Sequence, residues 1–149
     1  LANKVAGTLQ QELKPFKLAV IIPPDMPLVK FDYGLTEQAL YNLVLNATQY
    51  APEGSRIRVK LFYDNGHLVI QVMDRGRGFP DSDLPSLFNK FYRGKDALAG
   101  GTGLGLSIVK GFVEAQKGTV MAENRENGGA KFTIRIPAET SKWLPEQKE

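Results

Sequence analysis

The 149-residue sequence has no cysteine, which excludes disulfides and thiolate metal sites and fits a reducing compartment. No apolar run approaches the ~20 residues that a membrane span needs, and the N-terminus carries nothing like a signal peptide. A soluble piece with no membrane contact of its own is expected. Runs of like charge are missing too: 19 Lys and Arg are scattered among 16 Asp and Glu, for a net charge of +3. That pattern points to a solvated surface and away from a nucleic-acid footprint. There is no internal repeat, no low-complexity segment and no initiator Met. The chain opens mid-pattern at Leu1-Ala2-Asn3-Lys4, as expected of a piece of something longer.

What is present is ordinary for a globular protein, with 42% hydrophobic and 23% charged residues in a chain long enough for one core and short for two. Residues 5–13 predict a short helix stopped by Pro15, and the β-rich run 18–22 ends at Pro23-Pro24. A second short strand is expected over 28–31. Asp32 has the chemistry of an N-cap for a helix to about Tyr50, because Leu35, Ala39, Leu43 and Ala47 recur at four-residue steps. Asp64-Asn65-Gly66-His67 between the β-rich runs 57–63 and 68–73 is a strong hairpin signal.

Residues 74–101 are too irregular for one element and have the length of a functional lid. Residues 104–116 return to helical spacing, with Gly118 placed to help end the helix. Runs 119–123 and 130–136 then predict a last strand pair around Asn127-Gly128-Gly129. From Ala138 the chain is polar and expected to fray, with Trp143 available for packing. Helices interleaved with hairpins predict an α/β fold, a two-layer sandwich of a mixed, mostly antiparallel sheet with helices on one face. One domain over residues 1–137 and a polar tail over 138–149 are expected.

Three constellations carry chemistry. Asn42 and Asn46 stand one turn apart on the long helix, beside the apolar stripe. Asn is a mediocre helix former, so the pair is either two solvated or backbone-bonded amides or a source of a neutral carbonyl oxygen for Mg²⁺. Asp74 ends a strand that reads as buried, and carboxylates are rarely buried without a partner. Arg75-Gly76-Arg77-Gly78 follows, whose glycines allow a sharp turn and close approach of backbone to a ligand. Asp74 is either a strand-ending Asx turn or an acceptor for the exocyclic amine of adenine, a donor that guanine lacks. Gly101-Thr102-Gly103-Leu104-Gly105-Leu106 opens a helix, where free backbone N–H groups bind phosphate. No Gly-Lys-Ser or Gly-Lys-Thr follows and no strand leads directly in, so it is neither a Walker loop nor a dinucleotide fingerprint. A flexible hinge is the competing reading. Between the second and third constellations, Phe88 and Phe91 are expected to anchor the lid on the core. Lys90 and Arg93 could reach phosphate oxygens, with a solvated surface an equal reading for Lys90.

Taken in order, Asn42-Leu43-Val44-Leu45-Asn46-Ala47, Asp74-Arg75-Gly76-Arg77-Gly78, Phe88-Asn89-Lys90-Phe91 and Gly101 to Leu106 resemble the asparagine box, first glycine box, phenylalanine box and second glycine box of the histidine kinase catalytic domain. The resemblance runs from the first helix to Pro137 and implies the Bergerat ATP-binding fold of histidine kinases, type II topoisomerases, Hsp90 chaperones and MutL repair proteins. It implies ATP and Mg²⁺ as cofactors, with Asn46 holding Mg²⁺ and Asn42 supporting the triphosphate. Tyr50 would pack near adenine, Asp74 would receive its amino group with Gly76 and Gly78 beside it, and Gly101, Thr102, Gly103, Leu104, Gly105 and Leu106 would wrap the phosphates. The stretch from Glu123-Asn124-Arg125 to Gly128-Gly129-Ala130-Lys131-Phe132 further resembles potassium-responsive sensor kinases of the KdpD type.

The hydrolytic relatives carry a Glu one turn before the metal-binding Asn; here that position is Asn42, an amide without useful basicity. This favours phosphotransfer over hydrolysis, with a nucleotide-gated module and a true ATPase as the competing classes. Asn42, Lys90 and Arg93 are the expected catalytic residues. The implied acceptor is a histidine on a separate dimerisation domain of the same protein, a homodimer at full length and cytoplasmic in this part, with a response regulator downstream. The one histidine here, His67, follows the Asn65-Gly66 turn and reads as a hairpin residue. Two departures from the family pattern are Gln49, where many members have Lys or Arg, and Gln116, where His is frequent.

Overall fold

The computed structural model of the chain describes residues 1–89 and 105–140. Two short helices, α1 (Ala2–Thr8) and α2 (Gln10–Leu13), precede the strands β1 (Lys17–Ile21) and β2 (Val29–Lys30). The long helix α3 (Tyr33–Tyr50) leads into the hairpin of β3 (Arg56–Asp64) and β4 (His67–Met73). A 3₁₀ turn (Asp81–Ser86) comes next, and beyond it α4 (Gly105–Glu114), the hairpin of β5 (Thr119–Asn124) and β6 (Ala130–Pro137), and β7 (Glu139–Thr140).

The main sheet has the order β1-β3-β4-β6-β5. β1 runs parallel to β3 and the other pairs are antiparallel, the mixed, mostly antiparallel sheet that was expected. Asn65 and Gly66 both take positive φ, 49° and 77°, which a two-residue hairpin needs if its twist is to match the strands. Side chains alternate across the sheet. Ile57, Val59 and Leu61 of β3, Leu68, Ile70 and Val72 of β4 and Phe132, Ile134 and Ile136 of β6 bury against Leu40, Leu43 and Val44 of α3 and Val109 and Val113 of α4. Arg58, Lys60 and Phe62 point from β3 to the other face, half-buried. Among the described residues no helix is long and apolar enough to cross a membrane.

Asp32 caps α3 as expected, its carboxylate accepting from Leu35 N at 2.9 Å. Ala39, Leu43 and Ala47 of the predicted stripe are buried and are joined by Thr36, Leu40 and Val44.

Three local expectations need correction. The helix expected over 5–13 divides at Leu9, whose φ of −99° and ψ of 24° leave the helical region so that its side chain is fully buried. Fraying does not begin at Ala138: Ala138 N donates to Gly66 O, Tyr63 Oη donates to Ala138 O, and β7 pairs with β2. Gly118 is not the left-handed residue that ends α4. Lys117 is, at φ 62°, and Gly118 is required because a Cβ there would lie 2.5 Å from Arg135 O.

Gln116, one of the two departures from the family pattern, ties α4 to the start of α3. Its Oε1 accepts from Asp32 N and lies 3.3 Å from the Thr36 hydroxyl, to which its Nε2 donates at 3.1 Å. Thr36 is fully buried, so removing this amide strands a hydroxyl without its side-chain partner. Gln116→Ala is expected to lower the unfolding free energy by about 1–2 kcal/mol, read from denaturant midpoints at unchanged slope. No change would mean the clasp is ornamental.

Candidate functional site

Because β4 alternates, the residue after Met73 faces the helix side, and there Asp74 is 3% exposed. Its Oδ1 accepts from Gly76 N at 2.8 Å and Ala130 N at 3.2 Å. Its main-chain N donates to Ala130 O at 3.0 Å, and its main-chain O accepts from Arg125 Nη1 at 2.7 Å. Burial pushes the carboxyl above its ordinary value of 3.8; the two backbone donors and the Arg125 charge pull the other way. The Asx turn and the ligand role are thus compatible. The turn occupies Oδ1, and no hydrogen bond from the described residues reaches Oδ2.

Three glycines make the turn possible. A Cβ on Gly76 would sit 2.6 Å from Tyr50 O, and one on Gly129 would sit 2.0 Å from Asp74 O. Gly78 has φ +74° and would press on Asn124 Oδ1. Asn124 closes the far side of this turn: its Oδ1 accepts from Phe79 N at 2.8 Å and its Nδ2 donates to Phe79 O at 2.7 Å, the pattern of a strand neighbour made by a side chain.

Aromatic packing fixes the end of α3 against this turn. The Tyr50 ring lies 5.5 Å from Phe79, which meets Phe132 edge-on at 6.1 Å. Phe88 also meets Phe132 edge-on, so it packs on the core as expected, while the rest of the expected lid lies largely outside the described residues. One and two turns back along α3, Asn46 and Asn42 are half-buried. Asn42 Nδ2 donates to Gln38 O at 2.8 Å, which turns its Oδ1 toward α4, 3.7 Å from the position a Cβ of Gly105 would take. Asn46 Nδ2 is buried without a partner, an unusual state for an amide unless something else comes to meet it. A half-turn about Cβ–Cγ exchanges amide N and O, so the same position can present a carbonyl oxygen.

The structure therefore brings Asn42, Asn46, Tyr50, Asp74, Gly76, Gly78 and Gly105 to one side of the sheet, with Leu106 packed on the core behind them. Lys90, Arg93, Gly101, Thr102, Gly103 and Leu104 lie outside the described residues, as do Phe91 and Trp143. His67 is at the opposite end of β4 from Asp74, beside Pro137, roughly 20 Å away at the rise of a strand, with Nδ1 2.9 Å from Asn65 O. It takes no part in the site.

The family described as histidine kinase-, DNA gyrase B-, and HSP90-like ATPase matches residues 32–140. The chain belongs to this family. Sensor protein KdpD of Clostridium acetobutylicum is 36% identical over 141 residues, and KdpD of Escherichia coli 35% over 151. These alignments cover 91% and 99% of this chain but 16% and 17% of those proteins, so the chain spans about a sixth of their length. Sensor histidine kinase WalK of Bacillus subtilis is 37% identical over 76% of the chain and 20% of its own length. Among solved structures, the mycobacterial sensor histidine kinase MprB superposes with a TM-score of 0.82 at 25% identity, covering 93% of this chain and 94% of that one. Full-length ShkA in complex with AMPPNP superposes at 0.80 and 25% identity, over 93% of this chain and 29% of that one. The domain is a histidine kinase-type ATPase catalytic domain, and the expected likeness to KdpD-type sensors is borne out.

Asn124, Arg125, Gly129 and Gln116 hold the site together and were not singled out from sequence as site residues. Gly129 had a signal in the Gly128-Gly129 pair, since two glycines exceed what a simple turn needs. Gly129→Ala combines a φ of +100° with a clash into the Asp74 main chain, and a cost of at least ~2 kcal/mol is expected. Thermal melts of this variant should fall clearly below those of Gly128→Ala, which shares the positive φ, +99°, but has open space around it. Equal melting of the two would contradict the close packing described.

Proposed function

We propose that the domain binds Mg·ATP in this cleft and presents its γ-phosphate to a histidine on a separate dimerisation domain of the same protein, acting as the catalytic half of a protein-histidine kinase. The observation that carries the nucleotide reading is Asp74, a buried carboxylate with one oxygen held by two backbone donors and the other left to accept. The exocyclic amine of adenine fits that acceptor, and Tyr50 lies beside the same turn to pack near the base. Gly76 and Gly78 let the backbone come close.

On the phosphate side, Asn46 is suited to Mg²⁺ because its amide has no protein partner. Among the described residues no three His, Cys, Asp or Glu side chains cluster; a cation at Asn46 would therefore take most of its ligands from phosphates and water. When bound, the ion supplies charge neutralisation for the transferring phosphoryl group. Asn42 aims its oxygen toward the start of α4; the glycine loop that precedes α4 in sequence would wrap the phosphates, with Lys90 and Arg93 supplying positive charge. An amide cannot take a proton from water at neutral pH, so Asn42 leaves ATP intact until a better nucleophile arrives. The acceptor histidine, the homodimer, a response regulator and a cytoplasmic setting belong to the same proposal, and the sensor histidine kinases among the relatives support it.

Mixing the chain with Mg·ATP and the dimerisation domain of its parent protein tests this. Acid-labile phosphohistidine should appear on the dimerisation domain and not on this chain. Saturating ATP with no phosphohistidine would sink the kinase reading in favour of a nucleotide-gated module, and steady phosphate release by the chain alone would favour an ATPase. A pH titration gives a second check. Since two N–H donors hold Oδ1, a proton taken up by Asp74 goes to Oδ2, where it faces another donor. ATP affinity should fall as pH drops through a midpoint above 3.8. The sign for stability is opposite: the raised folded pKa means burial of the charged form is unfavourable at neutral pH, a penalty relieved as pH falls. Asp74→Asn should keep both backbone bonds, fold at least as stably and lose ATP binding. Retained ATP binding in this variant would remove Asp74 from the site.

A further inference from the structure

The outer face of the sheet, away from α3 and α4, carries a second feature. Arg56 and Arg58 of β3, Arg75 after β4 and Arg125 after β5 line one cleft of about 160 Å³. Arg56 and Arg58 alternate with the buried Ile57 and Val59, so they project from the face opposite the core. Arg75 follows Asp74 by one residue and points to the other side from it by the same alternation.

Four guanidinium groups around one small volume repel one another, and arginines so placed ordinarily interleave with carboxylates. Among the described residues none of these four makes an ion pair. The pKa of Arg125 is lowered first by burial and then by the charges of Arg75 and Arg58, with Asp74 opposing. Nothing in the core requires the cluster, since these side chains stand outside it.

The shape and chemistry of the cleft narrow what it would hold. At about 160 Å³ it has room for one or two phosphoryl groups. Among the described residues no aromatic side chain lines it, so these residues offer no stacking platform for a nucleobase. Guanidinium forks match phosphate oxygens two at a time and cannot lose their charge.

We propose that the cleft formed by Arg56, Arg58, Arg75 and Arg125 is a binding site for a phosphate or diphosphate group, separate from the nucleotide site and on the opposite face of the sheet. Arg125 contacts both places, since it lines the cleft and donates to Asp74 O. The group could be a free anion or the phosphate of a lipid headgroup.

Calorimetric titration of inorganic pyrophosphate in phosphate-free buffer, with the chain saturated with ADP to cover the nucleotide site, tests this. If ADP fails to bind, the titration is run without it, so a failure of the nucleotide reading stays distinct from a failure of this one. One bound pyrophosphate is expected, with affinity reduced about tenfold or more in Arg58→Gln and further in the Arg56→Gln, Arg58→Gln double variant. The melting temperature gives a signature that mere loss of structure would not. Without anion the variants should melt at or above the parent, because repulsion is relieved; with pyrophosphate the order should reverse. Vesicles of phosphatidylglycerol against phosphatidylcholine separate the sources. Capture by the first with the same arginine dependence assigns a headgroup phosphate, and pyrophosphate binding without capture assigns a free anion. No arginine-dependent pyrophosphate binding by the parent chain would overturn the proposal, as would arginine-dependent binding of a DNA duplex alone.

Discussion

Burying an ionisable carboxyl at the end of a central strand costs several kcal/mol unless its oxygens are met, and the surroundings of Asp74 are arranged around that cost. Backbone donors from Gly76 and Ala130 satisfy Oδ1, and no cation among the described residues pairs with the second oxygen. Arg125 goes to the main-chain oxygen instead. The carboxylate is thereby held in one orientation and half-saturated, the state that suits a ligand offering one donor. Gly129 and Gly76 follow from the same constraint, since the backbones that supply these donors pass too near Asp74 and Tyr50 for any Cβ.

The two helices complete the site from the other side and depend on each other. α3 presents Asn42, Asn46 and Tyr50 in successive turns along one line. α4 must bring its N-terminus up to Asn42, and its distance and angle are set in part at the far end, where Gln116 grips Asp32 and Thr36. Within α3, the back-bond of Asn42 to Gln38 O aims its side-chain oxygen, while Asn46 has no such anchor and keeps an unsatisfied amide. One asparagine is thus committed by the fold, and the other is left for what binds.

Much of this was legible in the sequence, for physical reasons that also explain the rest. The α3 stripe and its Asp32 cap, the Asn65-Gly66 hairpin and the strand ending at Asp74 are local patterns, and each formed where local chemistry put it. Misses came where a distant backbone decided the outcome. Gly118 is glycine because of Arg135 O, Leu9 breaks a helix to fill the core, and Ala138 to Thr140 are held by Gly66, Tyr63 and β2. Asn124 and Arg125 support the site from about fifty residues away in sequence, a relation that no periodicity encodes. The order of four motifs sufficed to single out the proposed nucleotide residues on one helix and one strand end, yet the parts that grip them required the tertiary structure.

Asp74 is proposed to read adenine through the amine that guanine lacks. The most direct measurement is a paired calorimetric titration of the chain with Mg·ATP and Mg·GTP under identical conditions. ATP should bind, and GTP, which sets a carbonyl oxygen against a buried carboxylate, should bind weaker by at least on the order of 10³-fold. Comparable affinities for the two nucleotides would contradict the account.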